Sequence, residues 1–170
     1  MPIANKNELR EYMTADLQVQ PASRNFIKRL FFDDVVRLKK HLRHAEYHFN
    51  GGGFHKLLYG YHKLWLHHLC RVFNSEIPIN VFGKGLKIWH AERIIINGNA
   101  RVGDWCSISS GVVIAQAHNE CPTIGDYVEL MIDSKVLGGI SVADHCRIGA
   151  NALVLKTIEK PNTTWAGEYS

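Results

Sequence analysis

Among the ten histidines of this 170-residue chain, His90 and His118 are the two best placed to do chemistry. A neutral imidazole is the side chain best suited to take a proton near pH 7, so each is a candidate general base. Both stand where a regular pattern of aliphatic residues breaks, and a break gives a repetitive fold room for specialised geometry. His145 lies inside an unbroken part of the pattern, at an outward corner, and reads as a bystander. His41, His44 and His48 share one helical face at i, i+3 and i+7, a spacing able to seat a metal ion. No carboxylate or cysteine completes that set at an obvious spacing, so no metal is expected.

What positions these groups is a six-residue period. Ile124, Leu130, Val136, Val142, Ile148 and Val154 recur every six residues, whereas helices and flat strands repeat every 3.6 and 2. Such a period fits a coil of three short strands with one aliphatic side chain pointing inward per strand, a parallel β-helix of hexapeptides. Two positions before each aliphatic residue sits a small or moderate one: Ala100, Cys106, Val128, Ser134, Cys146 and Ala152. Gly103, Gly125 and Gly149 follow the aliphatic column, where a tight corner is expected to need unusual backbone angles.

The repeat opens at residue 77, with Phe82 and Ile88 one hexapeptide apart. Its phase jumps by two residues before Ile96, Val102, Ile108 and Ile114, beside His90. Ten residues separate Ile114 from Ile124, so four extra ones within AQAHNECP extrude a loop that carries His118. Lys160-Pro161-Asn162 is expected to end the coil after about four turns, leaving TTWAGEYS as a closing strand or a frayed end.

The chain before residue 75 is helical in pattern. Asn7 to Leu17 forms a short amphipathic segment, and Ser23, after Pro21, offers an N-cap. Phe31, Val35, Leu38, Leu42, Ala45 and Phe49 make one apolar stripe on a long helix that Gly51-Gly52-Gly53 ends. A further helix is expected to turn Leu57, Tyr61, Leu64 or Trp65, and Leu69 or Val72 inward. The fold class is therefore α+β, an N-terminal helical segment (1–74) followed by a β-helix domain (75–170). Each open solenoid end exposes unpaired peptide groups, and the helical block is expected to cap one of them.

Composition narrows the function. Residues 1–74 carry 12 Lys/Arg against 6 Asp/Glu, and residues 75–170 carry 8 against 10. The basic half suits an anionic partner or a solvated helical face. It has neither the long basic run nor the aromatic–basic alternation of a nucleic-acid binder. No apolar run reaches the roughly 20 residues of a membrane span, and MPIANKNELR lacks a signal-peptide core. Cys70, Cys106, Cys121 and Cys146 have no paired spacing, so reduced thiols and a cytoplasmic location are expected.

The runs IPINVFGKGLKIWH (77–90), IIIN (94–97), CPTIGD (121–126) and IGANALV (148–154) resemble the serine acetyltransferase family. The likeness covers roughly residues 40–167 and is nearest to the shorter members associated with exopolysaccharide and capsule clusters. It implies a left-handed parallel β-helix, a homotrimer with sites in the clefts between subunits, and acetyl-CoA as donor. The implied acceptor is L-serine or a sugar hydroxyl of a polysaccharide. His90 matches the family's catalytic base, Glu76 is a candidate to orient it, and His118 stands near the position of a second family histidine, which here is Cys121. Ser134, Gly138, Ala150 and Lys156 match positions that approach CoA. Three departures stand out: Glu92 where Gly is usual, the bulky Glu129–Ser134 hexapeptide, and a tail that stops at Ser170. They leave a second reading, a catalytically weakened trimeric scaffold or regulator. The basic helices are expected to be able to join trimers into a larger assembly.

Overall fold

The computed structural model describes residues 2–23, 33–51 and 53–169. Among the described residues three α-helices, α1 (Lys6–Val19), α2 (Asp34–Gly51) and α3 (Lys56–Val72), precede a stack of short parallel strands. Asn5 caps α1, its side chain accepting from the backbone N–H of Asn7 and Glu8. The expected cap at Ser23 and the stripe position Phe31 concern a helix start outside the described residues.

The strands build a three-sided prism. Its first face stacks β1 (Lys87–Ile88), β4 (Ser107–Ile108), β7 (Glu129–Leu130), β10 (Arg147–Ile148) and β12 (Thr164–Trp165). The second stacks β2 (Ile95–Ile96), β5 (Val113–Ala115), β8 (Lys135–Leu137), β11 (Leu153–Val154) and β13 (Glu168–Tyr169). The third stacks β3 (Arg101–Val102), β6 (Thr123–Ile124) and β9 (Ser141–Val142), extended by bridges from Phe82 to Val102 and from Val142 to Ile158. Pairing is in register: Ile88 faces Ile108, which faces Leu130, which faces Ile148. The aliphatic column and the small-residue column are both buried. Five strands on a face make about four turns, the left-handed β-helix anticipated above, an exception to the usual right-handed crossover.

The coil does not stop at Lys160. Ile158, β12 and β13 lay a further turn over the last hexapeptides, so the tail closes the stack. The glycines also act differently from expectation. Gly103 and Gly125 do not have positive φ; the left-handed positions are Trp105, Tyr127 and His145, with φ of 58°, 56° and 57°. Their rings stack, Trp105 on Tyr127 at 6.4 Å and Tyr127 on His145 at 4.6 Å. Gly103 is needed for close approach instead: a Cβ there would stand 2.7 Å from the carbonyl of Gly125 and collide with the Asp126 carboxylate. That carboxylate accepts from the backbone N–H of Asp104 at 2.7 Å, and Asp144 repeats the bond to Asp126 at 2.8 Å.

The helices cap the first coil through side chains rather than a strand. Arg43 donates to the carbonyls of Phe82 (2.9 Å) and Gly83 (2.6 Å). Lys39 donates to the carbonyl of Leu86, whose N–H donates to Asp16. Gln20 exchanges two bonds with the backbone of Ile88, and Glu46 accepts from the N–H of Asn80. Peptide groups that would be unpaired at an open edge are thus satisfied. Arg43, fully buried, is itself held by Asp16 and Glu46 at 2.9 and 3.0 Å. Leu38 and Leu42 of α2 and Leu66, Leu69 and Cys70 of α3 join the solenoid core.

The inward face of α3 matches the expected one only at Leu69. His62, Leu66, Leu69 and Cys70 are buried, while Leu57, Tyr61, Leu64, Trp65 and Val72 are exposed. The helix is apolar on two sides, and α2 with the solenoid covers only one. Phe49 likewise falls outside the buried stripe of α2. Among the described residues no helix is long and apolar enough to cross a membrane.

Candidate active site

His90 sits at the corner between the first and second faces, just after β1. The two residues by which the phase jumps enlarge this corner, so Trp89 and His90 project outward and are exposed. Ser75 anchors it from behind. Its Oγ donates to the carbonyl of Ala91 at 2.6 Å and accepts from the N–H of Ile94 at 2.9 Å. Trp89 is steadied by the Lys87 ammonium, 3.5 Å from the ring centroid, a cation–π contact.

Below His90 the same corner of the next two coils forms an open cleft of about 320 Å³. Trp89, His90, Ser109, Glu129, Leu130, Met131 and Ile132 line it. Its floor is apolar, from Leu130 to Ile132, and Glu129 is paired with Arg147. Met131 and Ile132 of the bulky hexapeptide are thus exposed in the cleft, while Leu130 keeps its place in the buried aliphatic column. Trp89 and Ser109 were passed over in the sequence; an aromatic at an outward position beside the phase break was the available signal.

The other candidates lie apart from His90. Glu76 is exposed in a larger cleft of about 740 Å³ between α3 and the edge of the second face, beside Lys63, His67 and Arg71. It extends that face by a bridge to Ile95. No ion pair or hydrogen bond among the described residues joins His90 to Glu76 or Glu92. Ser75, the residue before Glu76, is the one that reaches the His90 corner.

His118 is at the opposite corner, between the second and third faces. The extra residues fold into a tight hairpin in which Ala117 and Glu120 exchange two backbone bonds of 3.0 Å. His118 and Asn119 occupy its turn with φ of 51° and 65°, the signs of a type I′ turn. The hairpin rests on Gly138 and Gly139, where a Cβ on Gly139 would stand 2.7 Å from Cβ of Glu120. A face about five residues wide separates the two histidines, about 16 Å at the rise of a β-strand.

The residues expected to approach CoA divide in the same way. Ala150 is exposed at the His90 corner three coils on. Gly138 and Lys156 belong to the His118 corner, Gly138 buried beneath the hairpin and Lys156 exposed. Ser134 is fully enclosed, its Oγ unpaired. These candidate residues therefore fall on two edges of one face. Away from these corners, burial pushes the Cys106 thiol up to about 12 and raises that of Cys70.

Comparisons with known proteins agree with this architecture. The profile described as "Bacterial transferase hexapeptide (six repeats)" matches residues 121–156. Over 99 residues the chain is 35% identical to a serine acetyltransferase of Synechococcus elongatus, covering 55% of this chain and 41% of that protein. Over 85 residues it is 38% identical to one from Mycobacterium tuberculosis, covering 48% and 37%. The chain thus spans less than half the length of these curated relatives. Among solved structures, a serine acetyltransferase from Brucella abortus superposes with a TM-score of 0.70 at 24% identity, covering 94% of this chain and 64% of that one. A serine acetyltransferase in complex with CoA gives 0.72 at 20% identity, covering 95% and 68%.

Proposed function

We propose that this chain, a hexapeptide β-helix similar in sequence and fold to the serine acetyltransferases, is an acetyl-CoA-dependent O-acetyltransferase with His90 as its general base. The observation that carries this reading is the exposed His90 imidazole at an enlarged, anchored corner above an apolar cleft. In the proposed reaction His90 takes the proton of an acceptor hydroxyl as its oxygen attacks the thioester carbonyl. The tetrahedral intermediate expels CoA as thiolate, and the protonated His90 returns the proton to sulfur. A positioned base contributes about 10²–10⁴-fold to such a step.

The acceptor we assign is a small hydroxyl compound, L-serine first, since the relatives are serine acetyltransferases. A sugar hydroxyl of a polysaccharide is the competing acceptor, favoured by the excess of Lys and Arg in the helices. We place the working site between chains of a homotrimer, because His90 and Ala150 lie on one edge of a face and His118, Gly138 and Lys156 on the other. Glu76 lines a different cleft from His90, so it is not assigned as the orienting group within one chain.

The test is thiol release from acetyl-CoA with L-serine, then with simple sugars, for the native chain and His90→Ala. Activity with one acceptor class, lowered at least about 100-fold by the substitution, is expected. Undiminished turnover by His90→Ala would remove this base. No turnover, with no CoA-induced rise in thermal stability, would leave a scaffold; saturation at 100 times Kd should add about 2.7 kcal/mol.

A further inference from the structure

Five imidazoles meet between α2 and α3, far from the cleft just described. His44, His48 and His62 each bring one ring nitrogen to within 4.8 Å of the others. Outside this trio, Nδ1 of His41 lies 3.0 Å from Nδ1 of His62, and Nδ1 of His55 lies 2.9 Å from Nδ1 of His48. His48 and His62 are each only 9% exposed, and among the described residues no carboxylate pairs with the group.

We propose that His44, His48 and His62 form a binding site for a divalent transition-metal ion of the zinc type, with His41 and His55 as the outer groups that orient two of the ligands. A neutral imidazole has one N–H and one lone pair. If Nδ1 of His62 donates to His41 and Nδ1 of His48 donates to His55, the lone pair of each inner ring is on Nε2, the arrangement of a ligating histidine whose other nitrogen is held. Tetrahedral coordination with bonds of 2.0–2.1 Å would bring the nitrogens to about 3.3 Å apart, a closure of at most about 1.5 Å from the 4.8 Å limit, within reach of ring rotation. Burial also keeps these rings below the ordinary imidazole range, so lone pairs are available at neutral pH. Three imidazoles without carboxylates select zinc, cobalt, nickel or copper over magnesium or calcium.

The surrounding chain is shaped for the cluster. A Cβ on Gly51 would stand 3.0 Å from Nδ1 of His55, so glycine there admits the outer ring. The completing ligand, His62, comes from α3 rather than from the α2 face that carries His41, His44 and His48, and His41 stands in the outer rank. A bound ion would tie α2 to α3, and α2 also carries the Lys39, Arg43 and Glu46 groups that cap the solenoid.

The test uses the untagged full chain, stripped with chelator and then given Co²⁺ or Zn²⁺ alone. The expected result is one equivalent of Co²⁺ with the intense visible absorption of a tetrahedral site, displaced by Zn²⁺, and a metal-dependent rise in thermal midpoint. His62→Gln and, should that variant fold poorly, the more exposed His44→Gln should bind more than tenfold more weakly while far-UV circular dichroism stays native. His41→Gln should weaken binding about 10–100-fold as an outer-group change, and His68→Gln should change nothing. Substoichiometric binding after gel filtration, or equal binding by His62→Gln and His44→Gln, would overturn the assignment.

Discussion

The hydroxyl of Ser75 lies 2.6 Å from the carbonyl oxygen of Ala91, sixteen residues later and directly behind His90. With its second bond to the N–H of Ile94, it fixes the backbone of the corner that presents the imidazole. Ser75→Ala leaves both peptide groups buried without this partner, and the expected cost is about 1–3 kcal/mol, read as a lower midpoint in urea. Turnover should fall more than KM rises, because the base is displaced while the cleft remains. A variant with native stability and turnover would show that the corner holds itself.

Gly103 stands against the next coil, so its side chain has nowhere to go. Gly103→Ala should cost about 1–3 kcal/mol through forced backbone movement and break the bond from Asp104 N–H to Asp126. Thermal unfolding measures it; an unchanged midpoint would mean that the coil spacing yields freely.

Arg43→Met strips the counter-charge from Asp16 and Glu46 inside the cap. Removing one partner of a buried ion cluster costs about 3–5 kcal/mol. Burial holds the Glu46 carboxyl above the ordinary range even with Arg43 opposing it, and without Arg43 that rise grows. Above the ordinary value of 4.5 the folded variant then holds more protons than the unfolded one, so its stability falls as pH rises through that window. The deficit against the native chain should be largest near neutral pH and shrink toward about pH 4–5 in parallel urea titrations; a constant deficit would place the loss elsewhere.

Ile148 is fully buried and Ile95 is 46% exposed, although both are strand isoleucines. Ile148→Ala should cost about 2–5 kcal/mol, and Ile95→Ala should stay within about 0.5 kcal/mol. Equal effects in denaturant unfolding would argue against a prism with one inward column.

The reading of the β region from sequence was close because a hexapeptide coil is a local object. The residue that points inward is set by backbone geometry over six positions, so Ile124 to Val154 announced the prism, and the phase jump beside His90 announced the enlarged corner. The glycines misled because a missing Cβ signals either backbone freedom or close approach, and Gly103 needs the second. The tail was legible in part: Pro161 reads as the end of the coil, yet of the closing strand and the frayed end that TTWAGEYS allows, the closing strand is found, because one irregular corner carries the chain on to Thr164.

What lay beyond the sequence depends on which elements meet. Two sides of α3 are apolar, and periodicity cannot say which one α2 and the solenoid will cover. Glu76 and Ser75 are adjacent in the chain, yet side chains alternate along an extended segment, so one turns to an outer cleft and the other to the His90 corner. The histidine trio draws on two helices separated by a turn, and no spacing along α2 could reveal His62. Periodic spacing wrote the coil and its broken corner into the chain itself; the placement of partners across coils and helices followed from packing, which joins residues that sequence distance keeps apart.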